Sequence, residues 1–324
     1  MGKKIFLFFS CLSLINGWIY SQSSGWSIVD PLPIANTLHC IKFFNENIGY
    51  AVGDNGTILN TLDKGLEWTV QNSGVTEVLN SVSFANVYTG YAVGADGTIL
   101  KTIDGGDNWI TQISGTSYAL TSVCFIDAFT GFAVGIYGTI LKTTDGGQNW
   151  TAQISGTIND LSAVHFITIN TGYAVGVSGT ILKTPNGGIN WKTQISGTTY
   201  QLSAVYFTDE NMGCIVGNYG TILKTNNGGK NWIFQNSVTN SWLTAVYFPN
   251  VNIGYAVGIG GTIIKSNDMG SSWIEQKSGF ENGLYSLFFN NFEMGFAVGE
   301  NGIILKTETG GQKPYININI EYDN

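Results

Sequence analysis

A 41-residue period runs through the chain and restricts the folds that it can form. The glycine that opens the sequence Gly-Tyr-Ala-Val-Gly, or a close variant of it, recurs seven times at this interval. Its positions are Gly49, Gly90, Gly131, Gly172, Gly213, Gly254 and Gly295. Repeats of about 40–45 residues that are rich in short strands are typical of β-propeller blades. The period therefore predicts an all-β protein, a seven-bladed β-propeller built from seven four-stranded repeats.

The residues of one repeat indicate where its strands lie. In the third repeat we expect strands over 120–125, 131–135, 138–143 and 150–153. The second and third strands lack hydrophobic alternation, as expected when both faces of a sheet are covered. Asn55-Gly56 and Asp96-Gly97 supply the residues that a tight turn with positive φ needs. Each repeat therefore reads as one blade with a tight turn between its second and third strands.

The two ends of the repeat array predict how the ring closes. In the last repeat Pro314 stands where tryptophan is due, whereas Trp26 precedes the first repeat and lies outside every copy of the motif. We therefore expect residues 25–29 to supply the fourth strand of blade 7. Residues 315–322 alternate between polar and apolar and could instead form that strand or pair outside it. The predicted organisation is a signal peptide over 1–21, a propeller over 22–311 and a short C-terminal tail over 312–324.

The N-terminus has the pattern of a secretory signal. Lys3 and Lys4 precede an apolar run over residues 5–15, and Ser21 offers a small residue for cleavage. We expect a secreted, periplasmic or cell-surface protein with no transmembrane segment once the signal is removed.

Cys40, Cys124 and Cys214 would lie in different blades, which favours free thiols over disulfides.

Charge composition argues against nucleic-acid binding. The formal net charge is −8, and all 14 basic residues are lysine, because the chain contains no arginine. No basic stripe is present that could follow a phosphate backbone.

The most specific motif is the turn Thr-x-Asp-Gly-Gly-x-x-Trp between the third and fourth strands. It resembles the Asp-box, or bacterial neuraminidase repeat. Its acidic or amide position is occupied by Asp63, Asp104, Asp145, Asn186, Asn227 and Asp268. Its tryptophan position is occupied by Trp68, Trp109, Trp150, Trp191, Trp232 and Trp273. A short polar side chain can accept hydrogen bonds from the turn, and asparagine keeps this ability without the charge. We therefore expect a structural motif rather than a ring of calcium-binding or catalytic carboxylates.

The whole repeat, Gly-Tyr-Ala-Val-Gly-x-x-Gly-Thr-Ile-Leu-Lys-Thr-x-Asp-Gly-Gly-x-x-Trp, resembles the photosystem II assembly/stability factor family over about residues 26–311. That resemblance implies an exported, non-enzymatic seven-bladed scaffold that binds a membrane protein. It also implies an arginine-rich partner surface, for which this chain has no residue. Sialidases share the Asp-box, but they hold their substrate with arginines, so the composition argues against that activity.

Few residues suggest chemistry. His39 and His165 are three registers apart in the repeat and are expected to face opposite ways, so no metal site is predicted, and no cofactor or catalytic residue is proposed. Asp54, Asp96 and Glu300 lie in neighbouring turns of the closed ring and could form an acidic cluster, although solvated turn residues are the simpler interpretation.

Aromatic residues at variable loop positions indicate a binding face. The second-to-third strand loops and the connections between blades should meet on one face of a propeller. The candidate binding residues on that face are Tyr118, Tyr137, Tyr200, Tyr219, Trp242 and Glu281. Exposed aromatic residues on loops suit a polypeptide or a sugar ring. The leading hypothesis is a monomeric scaffold that binds an envelope or membrane protein. The alternatives are a secreted protein that binds or acts on polysaccharide and a purely structural surface module.

Overall fold

A computed structural model of the protein describes residues 25–30 and 32–312. The expected signal peptide and the alternating segment 315–322 lie outside the described residues. The described residues form 28 strands in seven antiparallel sheets of four strands each, which confirms the predicted propeller.

Each blade begins with an inner strand beside the central channel and continues outward through a second strand. The inner strands are β2 (Leu38–Phe43), β6 (Leu79–Phe84), β10 (Leu120–Phe125), β14 (Leu161–Phe166), β18 (Leu202–Phe207), β22 (Leu243–Tyr247) and β26 (Leu284–Phe289). The second strands are β3 (Gly49–Gly53), β7 (Gly90–Gly94), β11 (Gly131–Gly135), β15 (Gly172–Gly176), β19 (Gly213–Gly217), β23 (Gly254–Gly258) and β27 (Gly295–Gly299).

A third strand and a short outer strand complete each blade. The third strands are β4 (Ile58–Thr61), β8 (Ile99–Thr102), β12 (Ile140–Thr143), β16 (Ile181–Thr184), β20 (Ile222–Thr225), β24 (Ile263–Ser266) and β28 (Ile304–Gly311). The outer strands are β5 (Thr69–Gln71), β9 (Ile110–Gln112), β13 (Thr151–Ala152), β17 (Lys192–Gln194), β21 (Ile233–Phe234), β25 (Ile274–Gln276) and β1 (Gly25–Ile28).

The hydrophobic core is divided among the seven junctions between blades. At one junction Tyr173 and Val175 of blade 4 pack with Leu202, Phe207 and Trp232 of blade 5. All five residues of every second strand are buried, as the sequence predicts for a sheet covered on both faces. Because each blade lacks a core of its own, its stability depends on its neighbours.

The repeated lysines of the third strands hold neighbouring blades together. Lys101 Nζ donates to the carbonyl oxygen of Gly146 at 2.6 Å, and Tyr91 Oη donates to the same oxygen at 2.7 Å. Lys183 makes the equivalent bond to Gly228 at 2.6 Å. These lysines therefore have a structural use and do not form a basic surface.

The ring closes through the N-terminal strand. The strand β1 pairs antiparallel with β28, with Ser27 opposite Lys306 and Ile28 opposite Leu305. Trp26 packs edge-to-face on Phe289 with ring centroids 5.9 Å apart, and Trp68 meets Phe43 at the same distance in blade 1. The predicted closure is confirmed, and Trp26 fills the tryptophan position that the last repeat lacks.

Candidate functional site

The loops of the propeller fall on two opposite faces. We call the face that carries the loops between second and third strands, together with the connections between blades, the upper face. The hydrogen bonds from Asp54 N to Thr37 O and from Gly56 N to Glu77 O, both 2.9 Å long, join these two sets of loops. The lower face carries the other loops, and Lys64 N donates to Asn47 O there at 3.1 Å.

The upper-face loops have a fixed backbone shape. In blade 3, Tyr137 and Gly138 have φ values of +54° and +66°, and Thr139 Oγ1 donates to Ile136 O at 2.7 Å. A Cβ atom on Gly138 would lie 2.0 Å from the carbonyl oxygen of Thr157, so only glycine fits this position. The position before the glycine is therefore held in the left-handed region while its side chain points into solvent.

Two blades place tyrosine at this left-handed position. Tyr137 and Tyr219 have φ values of +54° and +55°, and the equivalent residues of the other blades are Asn55, Asp96, Ser178, Gly260 and Asn301. Asparagine, aspartate and glycine adopt this conformation readily, whereas a bulky side chain there is unusual. Strained residues are often found at functional sites.

Each of these tyrosines packs against a second tyrosine from the preceding connection. The ring centroids of Tyr118 and Tyr137 are 5.0 Å apart, and those of Tyr200 and Tyr219 are 4.8 Å apart. Tyr137 and Tyr219 are 62% and 67% exposed, and their partners are each 47% exposed. The structure therefore brings four of the predicted residues together as two matching, solvent-exposed tyrosine pairs.

The connections that follow the two pairs carry different residues at one register. Asp160 accepts a 2.8 Å hydrogen bond from the backbone N–H of Tyr137 and so holds the blade 3 loop. Trp242 occupies the same register two repeats later, is 40% exposed, and donates from Nε1 to Ser203 Oγ at 2.7 Å. Glu281 is exposed in the connection between blades 6 and 7 and belongs to neither pair. Aromatic area is thus concentrated on blades 3 to 5.

A groove runs beside the first tyrosine pair. It has a volume of about 790 Å³, and its lining includes Tyr118, Tyr137, Gln153, Ile154 and Ile158. Ile154 and Ile158 are 90% and 83% exposed, so the groove has apolar side chains in its lining that face water.

An acidic group lies on the same face where blades 1 and 7 meet. Asp54 Oδ1 is 2.7 Å from His39 Nε2, and Glu300 accepts a 3.0 Å hydrogen bond from the hydroxyl of Tyr285. Burial, followed by the hydrogen bond to Glu300, raises the pKa of Tyr285. The loop positions of Asp54 and Glu300 predict their membership of this group, whereas His39 and Tyr285 lie in inner strands, where the sequence pattern gives no signal for it. Asp96, which was predicted to join them, is exposed in its own turn.

The predicted orientation of the two histidines is wrong. Every inner strand has a register shift after its first residue, between Leu38 and Cys40 in blade 1 and between Leu161 and Ala163 in blade 4. This irregularity turns the second and fifth residues of the strand to the same side. Both His39 and His165 consequently line the central channel, whose volume is about 440 Å³. Burial, and next the Lys42 ammonium, lower the pKa of His165 to about 4, so its imidazole is neutral near pH 7.

The turns between third and outer strands lie on the lower face and are stabilised internally. Asp145 accepts hydrogen bonds from the backbone and side-chain nitrogens of Asn149 at 2.9 and 2.7 Å, and these bonds lower its pKa to about 2. Asn186 Oδ1 accepts the equivalent backbone bond from Asn190 N at 3.0 Å.

No group of three or more His, Cys, Asp or Glu side chains in the described part of the chain could hold a metal ion. Cys40, Cys124 and Cys214 are free thiols.

These features define a class of protein, a seven-bladed β-propeller with exposed aromatic pairs on one face. A family model described as photosynthesis system II assembly factor YCF48 matches residues 19–115, 153–238 and 233–308. The chain belongs to this family. No curated protein matches it in sequence.

Solved structures with the same fold include family members and enzymes. The structure of "YCF48 bound to D1 peptide" has a TM-score of 0.75 and 23% identity, covering 88% of this chain and 95% of that one. YCF48 from Cyanidioschyzon merolae has a TM-score of 0.74 and 22% identity, covering 87% and 98%. The GH74 enzyme of Niastella koreensis has a TM-score of 0.71 and 16% identity, covering 87% of this chain but 53% of the enzyme. No helix among the described residues is long and apolar enough to cross a membrane.

Proposed function

We propose that this protein is an exported, non-enzymatic scaffold that binds a polypeptide segment of an envelope or membrane protein on its upper face. The two tyrosine pairs are the observation on which the proposal depends. Four exposed rings are built on rigid loops at equivalent positions of blades 3 and 5, and two of them occupy left-handed backbone positions. Exposed tyrosines offer large contact area with little loss of side-chain freedom on binding.

Family membership supports a peptide ligand. One YCF48 structure is that of the protein bound to a D1 peptide, and we extend the binding of a peptide, not that peptide itself, to this chain. Because the chain contains no arginine, its recognition must rest on other side chains, and the aromatic pairs are the strongest candidates.

Site-specific crosslinking tests the proposal in the native organism. Tyr137 and Tyr219 are each replaced with the photoreactive amino acid p-benzoylphenylalanine, and Tyr88, which is 64% exposed on the lower face, is replaced as the matched control. We expect one membrane or envelope protein to be crosslinked from both upper-face positions and not from Tyr88. Equal yields from all three positions, or no protein adduct at any of them, would contradict the proposal.

Polysaccharide binding is the second candidate, because GH74 enzymes share the fold and aromatic rings can stack on sugars. The chain spans 53% of those enzymes, and the rings of each tyrosine pair are tilted by 51° and 44° rather than coplanar. Calorimetric titration with xyloglucan oligosaccharides separates the two functions. Saturable heat that is lost in Tyr137→Asn would favour the glycan and count against the protein partner.

A further inference from the structure

Three isoleucines are almost fully exposed at one register of three consecutive blades. Ile113, Ile154 and Ile195 each follow the outer strand of blades 2, 3 and 4, and they are 88%, 90% and 89% exposed. We call these three residues the isoleucine ledge. A row of large apolar side chains that face water marks an interaction surface more often than isolated ones do.

The fold does not require isoleucine at this register. The equivalent residues in blades 1, 5 and 6 are Asn72, Asn236 and Lys277. Those blades form the same four-stranded sheets, so a polar residue is compatible with the local structure. The ledge is therefore a local feature of blades 2 to 4 and not a consequence of the repeat.

The ledge is continuous with the tyrosine site. Ile154 lines the groove that Tyr118 and Tyr137 border, and Ile113 lines the equivalent groove of blade 2. Past Ile195, the half-exposed ring of Phe234 approaches blade 4, because a Cβ atom on Gly197 would lie 3.4 Å from that ring. Exposed apolar residues thus recur on the upper rim of each blade from blade 2 to blade 5.

The charge around this rim has one predominant sign. The loops between second and third strands, and the connections that join blades 1 to 7 in chain order, contain one lysine, Lys277. Their acidic residues are Asp54, Glu77, Asp96, Asp160, Glu281 and Glu300. Glu77, Asp96 and Asp160 belong to the loops and connections of blades 1 to 4, where the ledge lies. An apolar surface with acidic residues in its neighbouring loops complements a ligand that has both apolar and basic side chains.

We propose that the isoleucine ledge binds an extended segment of the partner protein in which apolar residues alternate with lysine or arginine. This proposal rests on the proposed function and specifies the chemistry of the segment. The apolar residues of the segment would cover the ledge, and its cationic residues would face the acidic loops. Tyr137 and Tyr219 would hold the same segment where it crosses blades 3 and 5.

Three synthetic ten-residue peptides test the chemistry by fluorescence anisotropy at 150 mM NaCl. The first alternates leucine with lysine, the second alternates leucine with glutamate, and the third alternates serine with lysine. We expect the first peptide to bind at least tenfold more tightly than either of the others. If the serine–lysine peptide bound equally well, charge alone would explain the binding and the isoleucines would not contribute. If the leucine–glutamate peptide bound equally well, the acidic residues of the loops would not contribute. Either result would overturn the proposal.

A matched pair of variants locates the binding. The triple variant Ile113→Asn, Ile154→Asn and Ile195→Asn introduces the residue that blades 1 and 5 already use, so it should fold. We expect it to bind the leucine–lysine peptide at least tenfold more weakly. The control is Tyr88→Asn with Phe129→Asn, which removes equally exposed rings, 64% and 65%, from the lower face and should bind normally. Normal binding by the triple variant, with an unchanged melting temperature, would overturn the proposal.

Crosslinking from position 137 separates this inference from the function on which it rests. If the triple variant still forms the adduct at the wild-type yield, the ledge plays no part and the tyrosine site remains. If upper-face and lower-face positions give equal adducts in the unaltered chain, the proposed function itself fails.

Discussion

Tyr137 and Tyr219 present a conflict between local conformation and residue type. Both have positive φ, although the same position holds asparagine, aspartate, serine or glycine in the other five blades. The left-handed region costs most residues roughly 1–2 kcal/mol, and asparagine and glycine are the usual exceptions. The chain has a tyrosine at this costly position twice, and each of the two packs against a tyrosine at the equivalent position of the preceding connection. Binding explains this arrangement better than folding does.

Replacing Tyr137 with asparagine should therefore stabilise the protein while weakening binding. We expect the free energy of unfolding to rise by about 0.5–1 kcal/mol, because backbone strain is relieved and only a half-exposed ring contact is lost. Urea denaturation measures the change. Asp96→Tyr is the reverse substitution at the same position of blade 2 and should destabilise by a similar amount. A lower urea midpoint for Tyr137→Asn would show that the tyrosine pair serves the fold.

His165 should make the stability depend on pH. Its pKa is lowered to about 4 in the folded protein, mainly by burial and next by Lys42, whereas an unfolded histidine titrates near 6.5. The unfolded chain therefore binds more protons between these values, and the free energy of unfolding falls as the pH drops from 6.5 towards 4. Since the channel leaves the ring partly accessible, we expect a loss of at most about 3 kcal/mol.

Urea midpoints at pH 7 and pH 4.5 measure this loss, and NMR follows the imidazole directly. His165→Ser introduces the residue that Ser83 supplies at the same register of blade 2, so it should remove this part of the pH dependence. An imidazole that titrates near 6.5 in the folded protein would contradict the prediction.

At the scale of the element, the turn between third and outer strands is stabilised by hydrogen bonds more than by charge. Asp145 and Asn186 accept the same backbone bond in successive blades, at 2.9 and 3.0 Å. We expect Asp145→Asn to lower the urea midpoint at pH 7 slightly, because it keeps the backbone bond from Asn149 but loses the bond from the Asn149 side-chain amide, and Asp145→Ala to lower it further. Because its folded pKa is lowered to about 2, the contribution of Asp145 should be complete above pH 4 and lost as the pH falls through 2. Equal midpoints for both variants would contradict this account.

The strands were predictable because each repeat restates the same pattern, but the direction of side chains on the inner strands was not. An ideal strand alternates, so His39 and His165, three registers apart, were expected on opposite faces. The register shift next to Leu38 and Leu161 breaks this alternation, and the sequence contains no glycine or proline that would mark it. The sequence likewise predicts that Tyr118 and Tyr137 lie on one face, but it does not predict the contact between their rings. That contact depends on how the connection folds onto the loop.

At the scale of the whole molecule, the ring couples residues that are distant in sequence. The strand β1 bonds to β28 at the far end of the chain, and Trp26 is only 2% exposed in the core that joins blades 6 and 7. An unclosed ring would expose the edge of β28 and open the junction. The rigid loops that present the tyrosine pairs depend on blades that hold each other in place, so closure bears on the binding face as well as on stability.

Removing the closing side chain tests this coupling. We expect Trp26→Ala to destabilise the protein by about 3–5 kcal/mol, the usual cost of deleting a large buried aromatic side chain. Ile28→Ala is the matched control, because Ile28 lies on the same strand but is 37% exposed, and its loss should cost well under half as much. Urea unfolding monitored by far-ultraviolet circular dichroism measures both variants. If β1 were only an accessory strand, Trp26→Ala would leave the midpoint close to that of Ile28→Ala, and closure would have to come from elsewhere in the chain.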